Sequence, residues 1–133
     1  HFVIERCDNV FASVDMHKIL QLLSNLMDNA VKFTPENQSI ILSLIEHSHE
    51  AELEVSDSGI GVPESDLENI FKRFYQVDPS RSGDERGAGL GLHICKRIVE
   101  VHGGSISAKR NKIKGVTFTV ILPLKQHGKH LRT

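Results

Sequence analysis

The stretch from Met16 to Phe33 carries the longest regular apolar pattern in the chain. Its apolar residues recur three or four positions apart, the spacing of one face of an α-helix; they are Met16, Ile19, Leu20, Leu23, Leu26, Met27 and Ala30. Asp15 is an N-cap residue type, and Thr34-Pro35-Glu36-Asn37 ends the pattern. A helix with one apolar face must bury that face against another element. The stretch therefore predicts a layered domain.

Segments rich in β-branched and apolar residues supply the second layer. The predicted strands are Phe2–Glu5, Val10–Val14, Ile40–Glu46, Glu52–Ser56, Ser105–Arg110 and Val116–Leu122. A turn is predicted at Cys7-Asp8-Asn9 and another at 47–50, and a polar turn that ends at Gly115 joins the last two strands. Short connections of this kind join antiparallel neighbours, so we expect a mixed, mostly antiparallel sheet.

Two further amphipathic helices are predicted. The second follows Pro63, which suits a first helical turn, and its apolar residues are Leu67, Ile70, Phe71 and Phe74. The third contains Leu92, Cys95, Ile98, Val99 and His102, and Gly103-Gly104 ends it. The predicted fold class is α/β, a two-layer sandwich with three main helices on one face of the sheet. Residues 76–88 show no period and have the length of a lid loop.

The bulk composition excludes several classes of protein. With 133 residues and 39% hydrophobic residues, the chain has the size and content of one globular domain. Its net charge of -1 is not the basic excess of a nucleic-acid or membrane-surface binder. Its apolar runs are too short to span a membrane. Cys7 and Cys95 lack metal-site spacing and are interpreted as free thiols in a reducing compartment.

The first candidate site residues are Asn25, Asn29 and Lys32, which follow one another at i, i+4 and i+7 of the first helix. This spacing predicts two amide oxygens and one ammonium in a row on the face turned away from the core. Mg²⁺ prefers oxygen ligands and keeps phosphates in its shell, and a lysine is a point charge for a phosphate. A solvated helix face would show the same residue types, so the row alone leaves both interpretations open.

The second candidate is Asp57, which follows a predicted strand and precedes Gly59 and Gly61. A carboxylate at the bottom of a pocket accepts a hydrogen bond from the exocyclic amine of adenine. It rejects guanine, which would leave the charge unpaired. The glycines let the backbone approach a ring or adopt positive φ. A simple Asp-Ser-Gly turn is the alternative.

The third candidate is the glycine-rich stretch Gly87-Ala-Gly89-Leu90-Gly91, which runs into the third helix. Backbone amides of such a loop, together with a helix N-terminus, form an anion site. The stretch matches neither the dinucleotide fingerprint nor the P-loop, and hinge glycines are the alternative. Arg81 and Arg86 precede it and reach a bound phosphate if the loop closes.

Taken in order, several stretches resemble the conserved boxes of the catalytic and ATP-binding domain of sensor histidine kinases. They are Asn25-Leu-Met-Asp-Asn29-Ala-Val-Lys32, Asp57-Ser-Gly59-Ile-Gly61-Val-Pro63, Ile70-Phe-Lys-Arg-Phe74, Gly87-Ala-Gly89-Leu90-Gly91-Leu92 and Gly115-Val-Thr117-Phe-Thr-Val-Ile-Leu-Pro123. The resemblance covers residues 10 to 124. It implies the Bergerat ATP-binding fold, which gyrase-type, chaperone and mismatch-repair ATPases share.

The resemblance also implies a role for each matched position. Asn29 corresponds to the Mg²⁺ ligand, Asn25 and Lys32 lie near the phosphates, and Asp57 binds the adenine amine. The remaining implied ATP-binding residues frame the base, the lid and the phosphates; they are Gly59, Gly61, Phe74, Arg81, Arg86, Gly87, Gly89, Leu90, Gly91 and Thr117. ATP and Mg²⁺ are the implied ligands, and the loop at 76–88 is the implied ATP lid.

One position departs from the pattern of the family that the chain resembles, and another distinguishes that pattern from the related ATPases. Many family members carry arginine where this chain has Gln76, which leaves Arg73, Arg81 or Arg86 to meet the γ-phosphate. The related ATPases carry a glutamate at the position of Asn25, and an amide cannot activate water as a base. The pattern thus favours phosphoryl transfer over hydrolysis. A non-catalytic ATP-binding switch, for which Gln76 is the best support, and a protein serine kinase of the same fold are the alternatives.

The expected reaction transfers the γ-phosphate of ATP to a histidine on a separate dimerisation and phosphoacceptor domain of the same parent protein. None of the chain's eight histidines has the acceptor's sequence context. A downstream response regulator is the further expected partner, without nucleic acid or direct membrane contact. We expect residues 1–124 to form the catalytic domain, residues 125–133 to form a polar tail, and the location to be cytoplasmic, whether or not the parent protein is membrane-anchored.

Overall fold

A single five-stranded sheet organises the structure, a computed structural model that describes residues 2–8, 14–34, 38–59, 61–75 and 91–124. Its strands are β1 (Phe2–Cys7), β2 (Ile40–Glu46), β3 (Glu50–Asp57), β4 (Ser105–Arg110) and β5 (Val116–Pro123). The described helices are α1 (Met16–Phe33) and α2 (Gly91–Val101).

The strand order is β1-β2-β3-β5-β4. β1 pairs with β2 in parallel, and the other neighbours pair antiparallel, as the predicted mixed sheet requires. The β3–β5 ladder ends at the pair Ser56 and Thr117, so Asp57 lies one residue beyond it. On its other side Asp57 still pairs with Ile40 of β2.

The core lies between one face of the sheet and the two helices. Successive residues of a strand point to opposite faces, and the apolar residues of β3 and β5 alternate accordingly. One buried cluster contains residues from both layers: Leu22, Leu26, Ala30, Cys95, Ile98 and Val99 from the helices, with Val55, Val116, Phe118 and Val120 from the sheet. This arrangement confirms the predicted two-layer sandwich.

The ends of both helices follow from local residues. Asp15 Oδ1 accepts the backbone N–H of Lys18 at 3.3 Å, so the predicted N-cap of α1 is confirmed. α2 ends at Val101, and Gly103 follows with a φ of 78°, a left-handed value that glycine adopts without strain. His102 joins the two ends, because its Nε2 accepts the backbone N–H of Asp15 at 3.0 Å.

The predicted second helix is wrong. A 3₁₀ turn covers Glu64–Asp66, and single turns continue from there to Phe74. Most backbone hydrogen bonds in this stretch span three residues, as from Asn69 N to Asp66 O. Because residues three apart also share a face in a 3₁₀ turn, the apolar spacing that predicted an α-helix fits consecutive turns equally well. Ile70 and Phe71 are still buried in the core.

Most of the predicted strands are confirmed, with shifts at their ends. β1 continues through Cys7, where a turn was predicted, and a bulge between Ile4 and Arg6 accommodates the extra length. The lid loop at 76–88, the tail at 125–133 and all of the predicted strand Val10–Val14 except Val14 lie outside the described part. Val14 is described and does not lie in a strand. None of the helices within the described ranges is long and apolar enough to cross a membrane.

Candidate functional site

Asp57 is a buried carboxylate at the end of β3, with 5% of its surface exposed. Its Oδ1 accepts two backbone N–H groups, from Gly59 at 2.9 Å and from Val116 at 3.3 Å. Within the described residues, no donor hydrogen-bonds Oδ2. The backbone therefore holds one carboxylate oxygen, while the other accepts from no donor in the described part of the chain.

Burial raises the pKa of the Asp57 carboxyl above its ordinary value of 3.8, and the hydrogen bonds from Gly59 and Val116 only partly oppose the shift. Between 3.8 and the raised native pKa, the native state binds more protons than the unfolded state. The free energy of unfolding therefore falls as the pH rises through this range. Asp57 is a group that costs stability at neutral pH, which is typical of a residue kept for function.

Replacing Asp57 with asparagine is expected to increase the free energy of unfolding at pH 7, because the amide fits the same space without a buried charge. The asparagine oxygen still accepts both backbone N–H groups. Urea unfolding of both proteins measured from pH 8 downward checks this. The difference between them is expected to shrink as the pH approaches 3.8. A variant that is less stable than the wild type at pH 7 would contradict it.

Glycines surround the Asp57 carboxylate. Gly61 and Gly115 adopt positive φ values of 79° and 92°, where other residues are strained. A Cβ built on Gly115 would lie 1.9 Å from the Asp57 carbonyl oxygen, and one built on Gly61 would lie 3.6 Å from the Gly115 backbone. The chain thus passes so close to Asp57 at Gly115 that no side chain fits there, and Gly59 contributes its N–H directly.

The amide row of α1 lies on the flank of the helix, and the prediction that it faces away from the core is wrong. Asn25, Asn29 and Lys32 are each half-buried. The reason is the position of α2, whose Cys95 donates from Sγ to the backbone oxygen of Leu22 at 3.8 Å. A second helix packed beside α1 covers part of the surface that a single helix would expose.

Asn25 turns its nitrogen inward. Among the described residues no group hydrogen-bonds its buried Nδ2, and the Cys95 thiol lies nearby. Burial raises the pKa of that thiol to about 12, and the nearby Asn25 amide opposes the shift only partly, so Cys95 is a neutral, buried side chain. Because the Asn25 nitrogen faces α2, its carbonyl oxygen is the atom that it presents on the accessible side.

Asn29 carries an amide oxygen, a ligand type that suits Mg²⁺. Within the described part of the chain, nothing hydrogen-bonds its side chain, so its amide oxygen is uncommitted. The described residues contain no group of three or more His, Cys, Asp or Glu side chains that would hold a metal by themselves. Mg²⁺ is typically bound by one or two protein oxygens together with waters and substrate phosphates. The amide oxygens on α1 fit this kind of Mg²⁺ coordination.

Both candidate residues adjoin the same hydrophobic core. Asn29 precedes Ala30 on α1, and Asp57 follows Val55 by two residues on the same face of β3. Ala30 and Val55 belong to one buried cluster. Asn29 and Asp57 are therefore each attached to the same core, one on the helix layer and one on the sheet.

Thr117 lies on the other side of the sheet. Val116 and Phe118 point into the core, so Thr117 points to the opposite face, where its Oγ1 lies 2.9 Å from Ser56 Oγ and 2.6 Å from Asn111 Oδ1. The structure does not bring Thr117 to the Asp57 carboxylate; the backbone N–H of Val116 is the β5 group that reaches it. The apolar alternation along β5 was the sequence signal for this placement.

The predicted lid residues are described only at their two borders. Phe74 is exposed and adopts a left-handed φ of 65°, and the Arg73 guanidinium lies 5.2 Å from the centre of its ring. Gly91 is the first residue of α2 and is exposed. The other predicted lid and phosphate residues lie outside the described ranges; they are Gln76, Arg81, Arg86, Gly87, Gly89 and Leu90.

Comparisons with known proteins agree with this geometry. Residues 14–126 match the family model described as "Histidine kinase-, DNA gyrase B-, and HSP90-like ATPase". Sensor protein SrrB of Staphylococcus aureus is 42% identical over 117 residues, which are 88% of this chain and 20% of SrrB. The chain thus spans about one fifth of the length of the curated relatives that it matches.

Three histidine kinases illustrate the similarity to solved structures. A mycobacterial sensor histidine kinase, MprB, superposes with a TM-score of 0.81 at 26% identity, covering 93% of this chain and 83% of that one. The catalytic domain of histidine kinase ThkA gives a TM-score of 0.80 at 32% identity, with coverages of 92% and 79%. Full-length ShkA, solved in complex with AMPPNP, superposes with a TM-score of 0.73 at 28% identity, covering 92% of this chain and 26% of ShkA.

Family match, relatives and fold agree with one another and with the residues of the site. The chain belongs to the histidine kinase-, DNA gyrase B- and HSP90-like ATPases, and within them it is an ATP-binding catalytic domain of the sensor histidine kinase type.

Proposed function

We propose that residues 1–124 bind Mg·ATP and transfer its γ-phosphate to a histidine on a separate dimerisation and phosphoacceptor domain of the same parent protein. The observation that carries the proposal is the buried Asp57 carboxylate with one uncommitted oxygen. A response regulator would then receive the phosphoryl group, and residues 125–133 would remain a polar tail outside the site. On this proposal the domain works in the cytoplasm without touching a membrane.

Recognition of adenine follows from the two oxygens of Asp57. Oδ1 is occupied by the N–H groups of Gly59 and Val116, so Oδ2 accepts from the exocyclic amine of adenine. A guanine carbonyl at the same place would face a desolvated negative charge with no proton between them, which is strongly unfavourable. Gly115 lets the turn before β5 pass directly against the Asp57 backbone, where no side chain fits, and so keeps the Val116 N–H beside the carboxylate.

The phosphates extend from the base toward the flank of α1. Asn29 supplies the protein oxygen for Mg²⁺, and Asn25 and Lys32 lie in the same row. Mg²⁺ held there would neutralise phosphate charge, which is most of what phosphoryl transfer requires of a protein. Residues of the predicted lid and of the glycine-rich stretch would complete the phosphate site; they are Arg81, Arg86, Gly87, Gly89, Leu90 and Gly91.

Transfer rather than hydrolysis is favoured by the residue at position 25. An amide has no basic pKa with which to deprotonate water, and Asn25 directs its Nδ2 into the protein. A neutral imidazole needs no such activation, because it is already a nucleophile at pH 7. The site therefore positions ATP for an acceptor that brings its own reactivity.

Substituting Asp57 with asparagine is expected to weaken ATP binding by about 100-fold, because the amide places a donor where the adenine amine also donates. Isothermal titration with the non-hydrolysable analogue AMPPNP measures this. Glu64→Gln is the matched control, since it removes one carboxylate charge at a highly exposed site. Equal AMPPNP affinity in wild type and Asp57→Asn would overturn the assignment of the base-binding residue.

A further inference from the structure

The Asn111 side chain lies directly behind the candidate base-binding residue. Its Nδ2 donates to the backbone oxygen of Asp57 at 2.8 Å and lies 3.2 Å from Ser56 Oγ, and its Oδ1 accepts from Thr117 Oγ1 at 2.6 Å. Asn111 begins the turn between β4 and β5, where its own N–H donates to Gly115 O at 3.0 Å. Neither the predicted motifs nor the site described above includes this residue.

Chemistry fixes the direction of these hydrogen bonds. The Asp57 carbonyl only accepts, so Nδ2 must face it and Oδ1 must face Thr117. Thr117 has a single hydroxyl proton, and Asn111 Oδ1 requires it. Ser56 then donates to Thr117 across their 2.9 Å separation and accepts the second amide proton of Asn111. The three side chains form a closed ring in which each donates once and accepts once within the ring.

On the β5 side, the sheet does not provide a donor for the Asp57 carbonyl. The β3–β5 ladder ends at Ser56 and Thr117, so β5 offers Asp57 no ladder hydrogen bond. A buried carbonyl left without a partner is costly. The Asn111 amide supplies the missing hydrogen bond, while Val116, in the strand that begins at the other end of the turn, holds the carboxylate. Backbone and side chain of Asp57 are thus both fixed from the same turn.

We infer that Asn111 is a positioning residue for nucleotide-base specificity: through its ring with Ser56 and Thr117, it holds Asp57 in the orientation that accepts the adenine amine. The inference rests on the proposed adenine-binding role of Asp57. It also gives Thr117 a part in base recognition from the outer face of the sheet, without contact to the base.

The test compares the dissociation constants of ATP and inosine triphosphate, which differ at the base position that Asp57 contacts. Asn111→Ala is expected to lower the preference for ATP over inosine triphosphate about tenfold. Affinity for inosine triphosphate itself is expected to change little, because its base never used the oriented carboxylate. A purely structural role would weaken both nucleotides equally. Lys112→Ala, an exposed change in the same turn, is expected to leave the preference as in the wild type.

A second variant keeps the test decisive if Asn111→Ala does not fold. Thr117→Val keeps the side-chain shape and the preference for a β-strand, but it removes the hydroxyl that donates to Asn111 Oδ1. We expect it to lower the preference for ATP less than Asn111→Ala does. The deciding measurement is made on Asn111→Ala if it folds, and otherwise on Thr117→Val. A preference for ATP equal to that of the wild type would overturn the inference about Asn111 and leave the proposed function intact. An equal loss of affinity for both nucleotides would do the same. A wild type that does not distinguish the two nucleotides overturns both this inference and the proposed base recognition by Asp57.

Discussion

Replacing Asn29 with alanine is expected to reduce phosphoryl transfer to a separately supplied phosphoacceptor domain by about 10³-fold or more. The substitution removes the uncommitted amide oxygen on the flank of α1, which is the protein's proposed ligand for Mg²⁺. Asp57 and the glycines around it remain, so the base still binds. Single-turnover transfer from radiolabelled ATP, at saturating nucleotide, measures the loss at the chemical step.

The metal assignment predicts more than a loss of activity. Affinity for AMPPNP without Mg²⁺ is expected to be similar in wild type and Asn29→Ala, whereas the gain in affinity on adding Mg²⁺ is expected only in the wild type. Asp28→Ala is the control, because Asp28 is the exposed neighbour on the same helix. Transfer by Asn29→Ala at the wild-type rate, or an unchanged Mg²⁺ effect on affinity, would remove Asn29 from the metal site.

The properties of α1 show what local sequence determines. Its bounds, N-cap and apolar stripe all follow from residues within the helix, because capping and period are short-range effects. The orientation of its amide row does not. Asn25 and Asn29 are half-buried since α2, far along the chain, packs beside α1 through Cys95. Periodicity gives the angle between side chains on one helix and says nothing about which flank a neighbour covers.

The surroundings of Asp57 also combine contacts that local sequence determines with contacts that depend on the tertiary fold. The Asp-Ser-Gly pattern identified the carboxylate, and the Gly59 N–H that binds it is two residues away. Val116 and Asn111 are 59 and 54 residues away, so their contacts depend on how the β4–β5 hairpin packs against β3. Asn111 had no motif of its own, because an asparagine in a polar turn is ordinary. Only its position against the end of the β3–β5 ladder gives it a function.

Gly115→Ala is expected to destabilise the domain by about 2–4 kcal/mol and to weaken nucleotide binding together with it. Two independent effects add at this position. The backbone φ of 92° is unfavourable for a residue with a Cβ, and the added Cβ would lie 1.9 Å from the Asp57 carbonyl oxygen and 2.6 Å from its carbonyl carbon. Both neighbours are backbone atoms, so β3 and the turn must separate for the methyl group to fit.

Separation of the turn from β3 has a specific consequence for the site, because the same turn carries the Asn111 amide and leads into Val116. Moving it away lengthens the hydrogen bonds to the Asp57 carbonyl and carboxylate at once. Urea unfolding measures the stability, and titration with AMPPNP on the folded fraction measures the binding. Lys114→Ala, an exposed change one residue earlier, is the control for both. A Gly115→Ala protein with wild-type stability and AMPPNP affinity would show that the close approach of this turn does not hold Asp57 in place.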